Sequence, residues 1–244
     1  MQVEVLNGGW LRQGSVIAFN HQWQRPAKTE EWVFETLIEK KVFSKFVEYI
    51  AFPWATLIDL LARGQAVRAN ELIDALNHLP PKKALIRVTS CQHINIEPIR
   101  NFLKKIKITD LFWVHKLIGS SRVDEIRLHP LAMYPFAYYR SNKDSFKSLS
   151  DRRYRYSFVG AYDAQGYLSD IREKIFNLPP NNISFIKRRD SWHFEREVYS
   201  AQIMNEDISN EHKNIKKLSE DEYVNVMSVG ALYGVPLRCF NVIV

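Results

Sequence analysis

"RYRYSFVGAYDAQGYLSDIREKIFNL", residues 153–178, reads as a strand, a glycine turn and a helix. Tyr156, Phe158 and Ala161 punctuate a short apolar run, Gly160 closes it, and from Tyr167 the apolar residues recur at helical spacing. In an open α/β sheet such a turn stands at the carboxyl edge, where ligands bind. A glycine lets the backbone come close to a ligand, and the helix that follows aims its free N–H groups and positive dipole end at an anion. Arg152, Arg153 and Arg155 add charge beside the run. Neither G-x-G-x-x-G nor G-x-x-x-x-G-K-[ST] accompanies the turn, so no nucleotide fingerprint is present. An ordinary strand-to-helix turn reads the same way.

Outward from this stretch the same alternation recurs. "SVIAFN" (15–20) reads as a strand and "PAKTEEWVFETLIEKKVF" (26–43) as a helix. Phe46–Phe52 is a strand, Pro53 ends it, and Ala55–Leu61 begins a helix that stops at Gly64. A further helix, "RANELIDALNHLPPKK", is ended by Pro80 and Pro81. "KALIRVTSCQHI", "TDLFWVHK" and "DEIRLHP" are β-rich, with the helix "IEPIRNFLKKIKI" after the first of them. Strands alternating with helices predict a parallel sheet flanked by helices, an α/β fold.

The polar, serine-rich "RSNKDSFKSLSDRR" (140–153) reads as a linker. It separates an amino-terminal lobe, 1–139, from a carboxyl-terminal one, 154–244. In the second lobe, strands are expected at Tyr154–Val159 and Ile183–Lys187, with helices at Tyr167–Leu178 and Phe194–Ile203. The tail "VGALYGVPLRCFNVIV" is apolar without helical period, and fits either a buried last strand or an unfinished fold.

The 244 residues, 46% hydrophobic and 25% charged, are those of a water-soluble globular chain. A net charge of +7 suits an anionic ligand: a nucleotide diphosphate, a nucleic acid or an acidic membrane face. Cys91 and Cys239 lack ligand spacing, so neither zinc nor a disulfide framework is expected. No run approaches a membrane span and the amino terminus has no secretory pattern. The expected location is the cytoplasm, with any membrane touched from its surface only.

Candidate chemistry gathers where strands end. "SCQHI" puts His93, and "FWVH" puts His115, just past a strand, and an imidazole there could deprotonate a hydroxyl. His129 could join them, and a hydrogen-bonded structural histidine fits each position as well. Cys91 with His93 could form a nucleophile pair, against the commoner buried thiol. "KRRDSWHFEREVY" (187–199) offers Lys187, Arg188 and Arg189 to a phosphate, and Trp192 and His193 to a ring. No three ligands converge in spacing, so no metal is expected.

"FPWATLIDL", "SCQHI", "ITDLFWVH", "HPLAMYP", residues 153–178 and "SWHFEREVYSAQI", in that order over roughly 46–203, resemble an exostosin-like glycosyltransferase, glycosyltransferase family 47. The resemblance implies two Rossmann-like lobes of GT-B type. It also implies metal-independent, inverting transfer from a nucleotide sugar to a glycan or glycoconjugate acceptor, with no cofactor. By analogy His93 and His115 lie on the acceptor side and act in catalysis, while Arg153, Gly160, Arg188, Trp192 and His193 face the donor. The family's donor lobe continues with a Ser/Pro/Gly-rich segment and an Arg- and Glu-bearing helix. After "DEYVNVMS" this sequence departs from that pattern, so the expectation is an incomplete donor lobe with weak donor binding and slow or absent transfer. The alternative is a non-catalytic module for an anionic glycan or nucleic acid. No nucleic-acid signature is visible and the basic residues are dispersed, so nucleic acid is not expected.

Overall fold

Val16, Ile17 and Ala18 are all buried, and Val47–Ala51 lies beside them in parallel register, Val16 opposite Tyr49. An apolar run buried on both faces is what a parallel strand requires. The computed structural model describes residues 3–25, 27–134, 148–161, 170–189, 195–207, 222–223, 225–226 and 230–233. The described strands form two sheets.

The large sheet holds β1 (Glu4–Val5), β2 (Leu11–Gln13), β3 (Val16–Ala18), β4 (Val47–Ala51), β5 (Ile86–Cys91), β6 (Asp110–Trp113), β7 (Arg122–Val123) and β8 (Ile126–Pro130). Its order is β1-β2-β3-β4-β5-β6-β8-β7. The run β3 to β8 is parallel, while β1–β2–β3 and β7–β8 are antiparallel additions at the two edges. The fold is therefore α/β with a large, mostly parallel sheet. The five parallel strands stand in chain order, so the order reversal that opens a ligand crevice in a doubly wound sheet is not found among them.

Helix α1 (Thr29–Glu39) lays Val33, Phe34, Leu37 and Ile38, at helical spacing, on Val16, Ala18, Tyr49 and Ala51. Helix α2 (Trp54–Ala62) buries seven consecutive residues, and turns at Gly64, whose φ of 67° a glycine takes without strain. Helix α3 (Ala66–Asn77) closes over Trp10, whose indole N–H donates to Ala75 O at 2.7 Å. Helix α4 (Arg100–Lys105) is shorter than its pattern. A 3₁₀ turn, Glu97–Ile99 with Pro98 inside it, takes up the first residues.

The small sheet has β9 (Tyr154–Ala161) between β10 (Ser184–Arg189) and β11 (Gly230–Tyr233), all parallel. Helix α5 (Ile171–Phe176) packs on β9 and β10. The basic trio Lys187–Arg189, expected after a strand, is inside β10. The start of the unusual tail is a strand, "GALY".

By compactness the chain divides into residues 1–134 with 197–206, and residues 135–196 with 207–244. The expected linker, 140–153, lies within the second unit. Its first eight residues are outside the described ones and its end holds a 3₁₀ turn, Leu149–Asp151. The helix expected at Phe194–Ile203 is a π-helix, Glu195–Ile203, and residues 197–206 belong to the first unit rather than the second. Val198 and Ile203 are buried, Arg68 Nη1 donates to the carbonyls of Gln202 and Ile203 (2.7 and 2.8 Å), and Arg63 lies over the Tyr199 ring at 4.1 Å. Arg68 thereby satisfies carbonyls that a helix end leaves open.

Candidate functional site

At the carboxyl edge of the large sheet the chain leaves β4 through Phe52-Pro53 into α2, and leaves β5 through Gln92-His93. Glu30, in the first turn of α1, fills the space between these exits. Its Oε1 accepts the backbone N–H of Gln92 (3.0 Å) and of Ala55 (3.2 Å), the latter an open donor at the start of α2. In return Glu30 N–H donates to Gln92 Oε1 at 3.2 Å. Burial raises the Glu30 carboxyl to about 8, against the lowering pull of those N–H groups, His93 and the Cys91 thiol. At neutral pH this acid is mostly protonated.

Asp59, one turn into α2 and buried, receives Gln24 Nε2 at 2.5 Å and His93 Nε2 at 3.2 Å. His93 Nδ1 receives the N–H of Asn95 at 3.0 Å and stands 2.9 Å from Asn95 O. Burial pulls the His93 imidazole down. The hydrogen bond and charge of Asp59, with Asn95 O and Glu30, outweigh it, so the pKa is raised. Neutral His93 spends its N–H on Asp59 and its lone pair on Asn95, and protonated His93 has no lone pair. In this arrangement the structural reading of His93 describes the side chain, and proton abstraction from a substrate would first require one of these bonds to open.

His115 follows the adjacent strand β6. Trp113 joins the two histidines: its indole N–H donates to His93 O at 2.8 Å, and its ring meets the His115 ring edge-on at 6.4 Å. His129 does not join them. It lies on β8, bonds Asp110 Oδ1 at 2.7 Å at the opposite end of β6 and stacks on Phe112. Cys91 is buried, and burial followed by Glu30 pushes its thiol well up, so a thiolate paired with His93 is not what the site holds.

In the small sheet Gly160 sits inside β9, not in a turn, opposite Arg188 of β10. A Cβ at Gly160 would stand 2.8 Å from the ring of Phe158 and 3.2 Å from Arg172 Nη1. Arg172 crosses this position to donate to Ala161 O at 2.7 Å, and Phe158 packs on Phe176. The glycine thus serves an internal close approach. Gly160→Ala is expected to destabilise the protein by about 1–3 kcal/mol, the cost of overpacking a filled site, read as a lower urea midpoint. An unchanged midpoint would mean that the Phe158 ring yields freely.

Arg188 is exposed at the carboxyl end of β10, with its guanidinium 5.5 Å from the Phe176 ring. Arg153 lies just before the amino end of β9. Seven residues at roughly 3.3 Å each separate it from Gly160, so the two do not meet at one sheet edge. Trp192 and His193 lie outside the described residues.

Sequence reasoning missed Glu30 and Asp59 as partners of the histidine edge. Glu30 reads as an ordinary dipole-favouring acid at a helix start, and Asp59 as the polar interruption of an apolar helix. Such an interruption inside "WATLIDLLA" was the available signal. Among the described residues no group of three or more His, Cys, Asp or Glu side chains gathers as a metal would require, and no helix is long and apolar enough to cross a membrane.

Compared with protein-family models, with curated proteins and with solved structures, the chain matches none.

Proposed function

We propose that the protein is an exostosin-like glycosyltransferase that binds the diphosphate of a nucleotide sugar at the carboxyl edge of its small sheet. The observation that carries this reading is the order β10-β9-β11. Of these three strands the first in chain order, β9, lies in the middle, with the later parallel strands on either side. Such a reversal opens a crevice at the carboxyl ends of the strands, the place where α/β sheets bind ligands. Arg188 and Arg189 end β10 at that edge, and an arginine beside a strand end is suited to a bidentate grip on phosphate. The acceptor would be a glycan or glycoconjugate met by the His93 and His115 edge of the large sheet, with no metal or cofactor called for.

The test is titration of the whole protein with uridine and guanosine diphosphates, followed calorimetrically, and repeated with Arg188→Gln. A charge-assisted hydrogen bond contributes about 1.5–3 kcal/mol, so the variant should bind at least roughly tenfold more weakly while melting at the wild-type temperature. Failure of both diphosphates to bind would sink the reading. A sulfated polysaccharide whose affinity falls steeply with salt, uncontested by nucleotides, would favour a glycan-binding module instead.

A further inference from the structure

The opposite, amino edge of the large sheet has a character that transferase chemistry does not account for. Parallel strands start side by side, so the segments leading into β4, β5 and β6 share this edge. Those segments are "KKVFSKF" (40–46), "PPKKAL" (80–85) and "LKKIKI" (103–108). Each brings lysines, and none contains an acid. Lys40, Lys41, Lys45, Lys83, Lys105 and Lys107 are exposed.

Large apolar side chains are exposed among them. Phe46 is 67% and Leu85 75% exposed, and they lie next to one another, since Ile86 N–H donates to Phe46 O at 3.0 Å. Val42, between Lys41 and Lys45, is 55% exposed. Beside them opens a cavity of about 350 Å3 lined by Arg12, Ser15, Ser44, Lys45, Glu48 and Lys83, among others. Its acid, Glu48, is held by Arg87, which reaches Oε2 through two nitrogens at 2.8 and 3.0 Å, and Glu48 Oε1 stands 4.0 Å from Arg12 Nη2. Arg12 Nε is buried there without a hydrogen-bond acceptor, with the exposed Glu4 carboxylate 4.0 Å away.

We propose that this amino edge is a docking surface for an anionic membrane, with Phe46, Leu85 and Val42 entering the interface and the Arg12 cavity receiving a lipid phosphate. Lysine-flanked apolar side chains fit the boundary between headgroup and acyl chain. Each lysine held near an acidic leaflet adds to the attraction. A free phosphate would use the cations and leave exposed phenylalanine and leucine unexplained; a bilayer uses both. In this docking, the carboxyl edge of the same sheet, with His93 and His115, is the end away from the bilayer. The proposal does not rest on the transferase reading.

The experiment is co-sedimentation of the whole protein with vesicles of phosphatidylcholine alone and of phosphatidylcholine mixed with phosphatidylglycerol, at low and high salt. Binding to the mixed vesicles alone, weakened by salt, is expected. At about 1 kcal/mol per lysine, Lys45→Glu with Lys83→Glu should lower partitioning roughly twenty-five-fold or more. Phe46→Ser with Leu85→Ser should weaken it while leaving its salt dependence in place. All four side chains are exposed, so melting temperatures should match wild type and separate lost docking from lost fold. Indifference to phosphatidylglycerol would overturn the proposal, as would binding unchanged in the lysine pair. So would full displacement by inorganic phosphate at matched ionic strength with no effect of the Phe46 and Leu85 changes, since that is a small-anion site.

Discussion

Glu48→Ala should destabilise the large unit by about 3–5 kcal/mol, the cost of leaving one member of a buried ion pair without its partner. Glu48 and Arg87 face each other across β4 and β5 at 5% and 2% exposure. Arg87 Nε and Nη2 both reach Glu48 Oε2, and Nη1 and Nη2 also donate to the carbonyls of Ile106 and Pro80 at 2.9 and 3.0 Å. Glu48 Oε1 takes the Lys83 N–H at 3.3 Å. Removing the carboxylate leaves the buried Arg87 guanidinium without its counter-charge. The decisive comparison is Glu48→Leu with Arg87→Met. Replacing both charges by apolar groups of similar volume often costs little, so the double variant should have a higher urea midpoint than Glu48→Ala. A double variant less stable than the single one would show that the carbonyls of Ile106 and Pro80 depend on Arg87 more than Arg87 depends on Glu48.

Glu30 should make the protein lose stability as pH rises. Its carboxyl titrates near 4.5 unfolded and near 8 folded, because burial penalises the charged form. A raised folded value means that the native state holds a proton the unfolded chain has already released. Between those limits stability falls by about 1.4 kcal/mol per pH unit, and outside them it is flat. His93, also raised, adds a loss of the same sign, but only above its ordinary value of 6.5. Asp110 and Asp124, both lowered, lose their contributions only below the ordinary aspartate value of 3.8. Cys91 and Tyr49, the other titratable groups in Glu30's field, are pushed upward and stay neutral. Among the described residues, the interval from pH 5 to 6 therefore isolates Glu30. Wild type should lose about 1.4 kcal/mol across it, while Glu30→Gln, which keeps the acceptor oxygen and cannot ionise, should lose little. Parallel urea midpoints for the two proteins would show that the carboxyl is charged at both pH values.

Local pattern was a good guide to the elements around these groups. The strand at 47–51, the α2 helix with its Gly64 stop and the placement of His93 and His115 past adjacent strands all follow from short-range periodicity and turn residues. Periodicity says which side of a segment is apolar, and a glycine or proline says where it must end. Strand order and cross-strand partners escaped it. The antiparallel β1–β2 addition was invisible in "MQVEVLNGGWLRQ" because two- and three-residue strands carry no period.

The amino-acid sequence by itself determined an α/β chain of alternating strands and helices with two histidines at strand ends. Only the tertiary structure decided what those residues do. It showed Gly160 inside a strand under Arg172, Arg153 at the wrong end of that strand for its expected partner, and both His93 nitrogens taken by Asp59 and Asn95. It also made Glu30 a buried acid between three elements and collected lysines from three separate segments on one edge. The physical reason is that charge state and hydrogen-bond partners depend on burial and on groups tens of residues away, which no local spacing records.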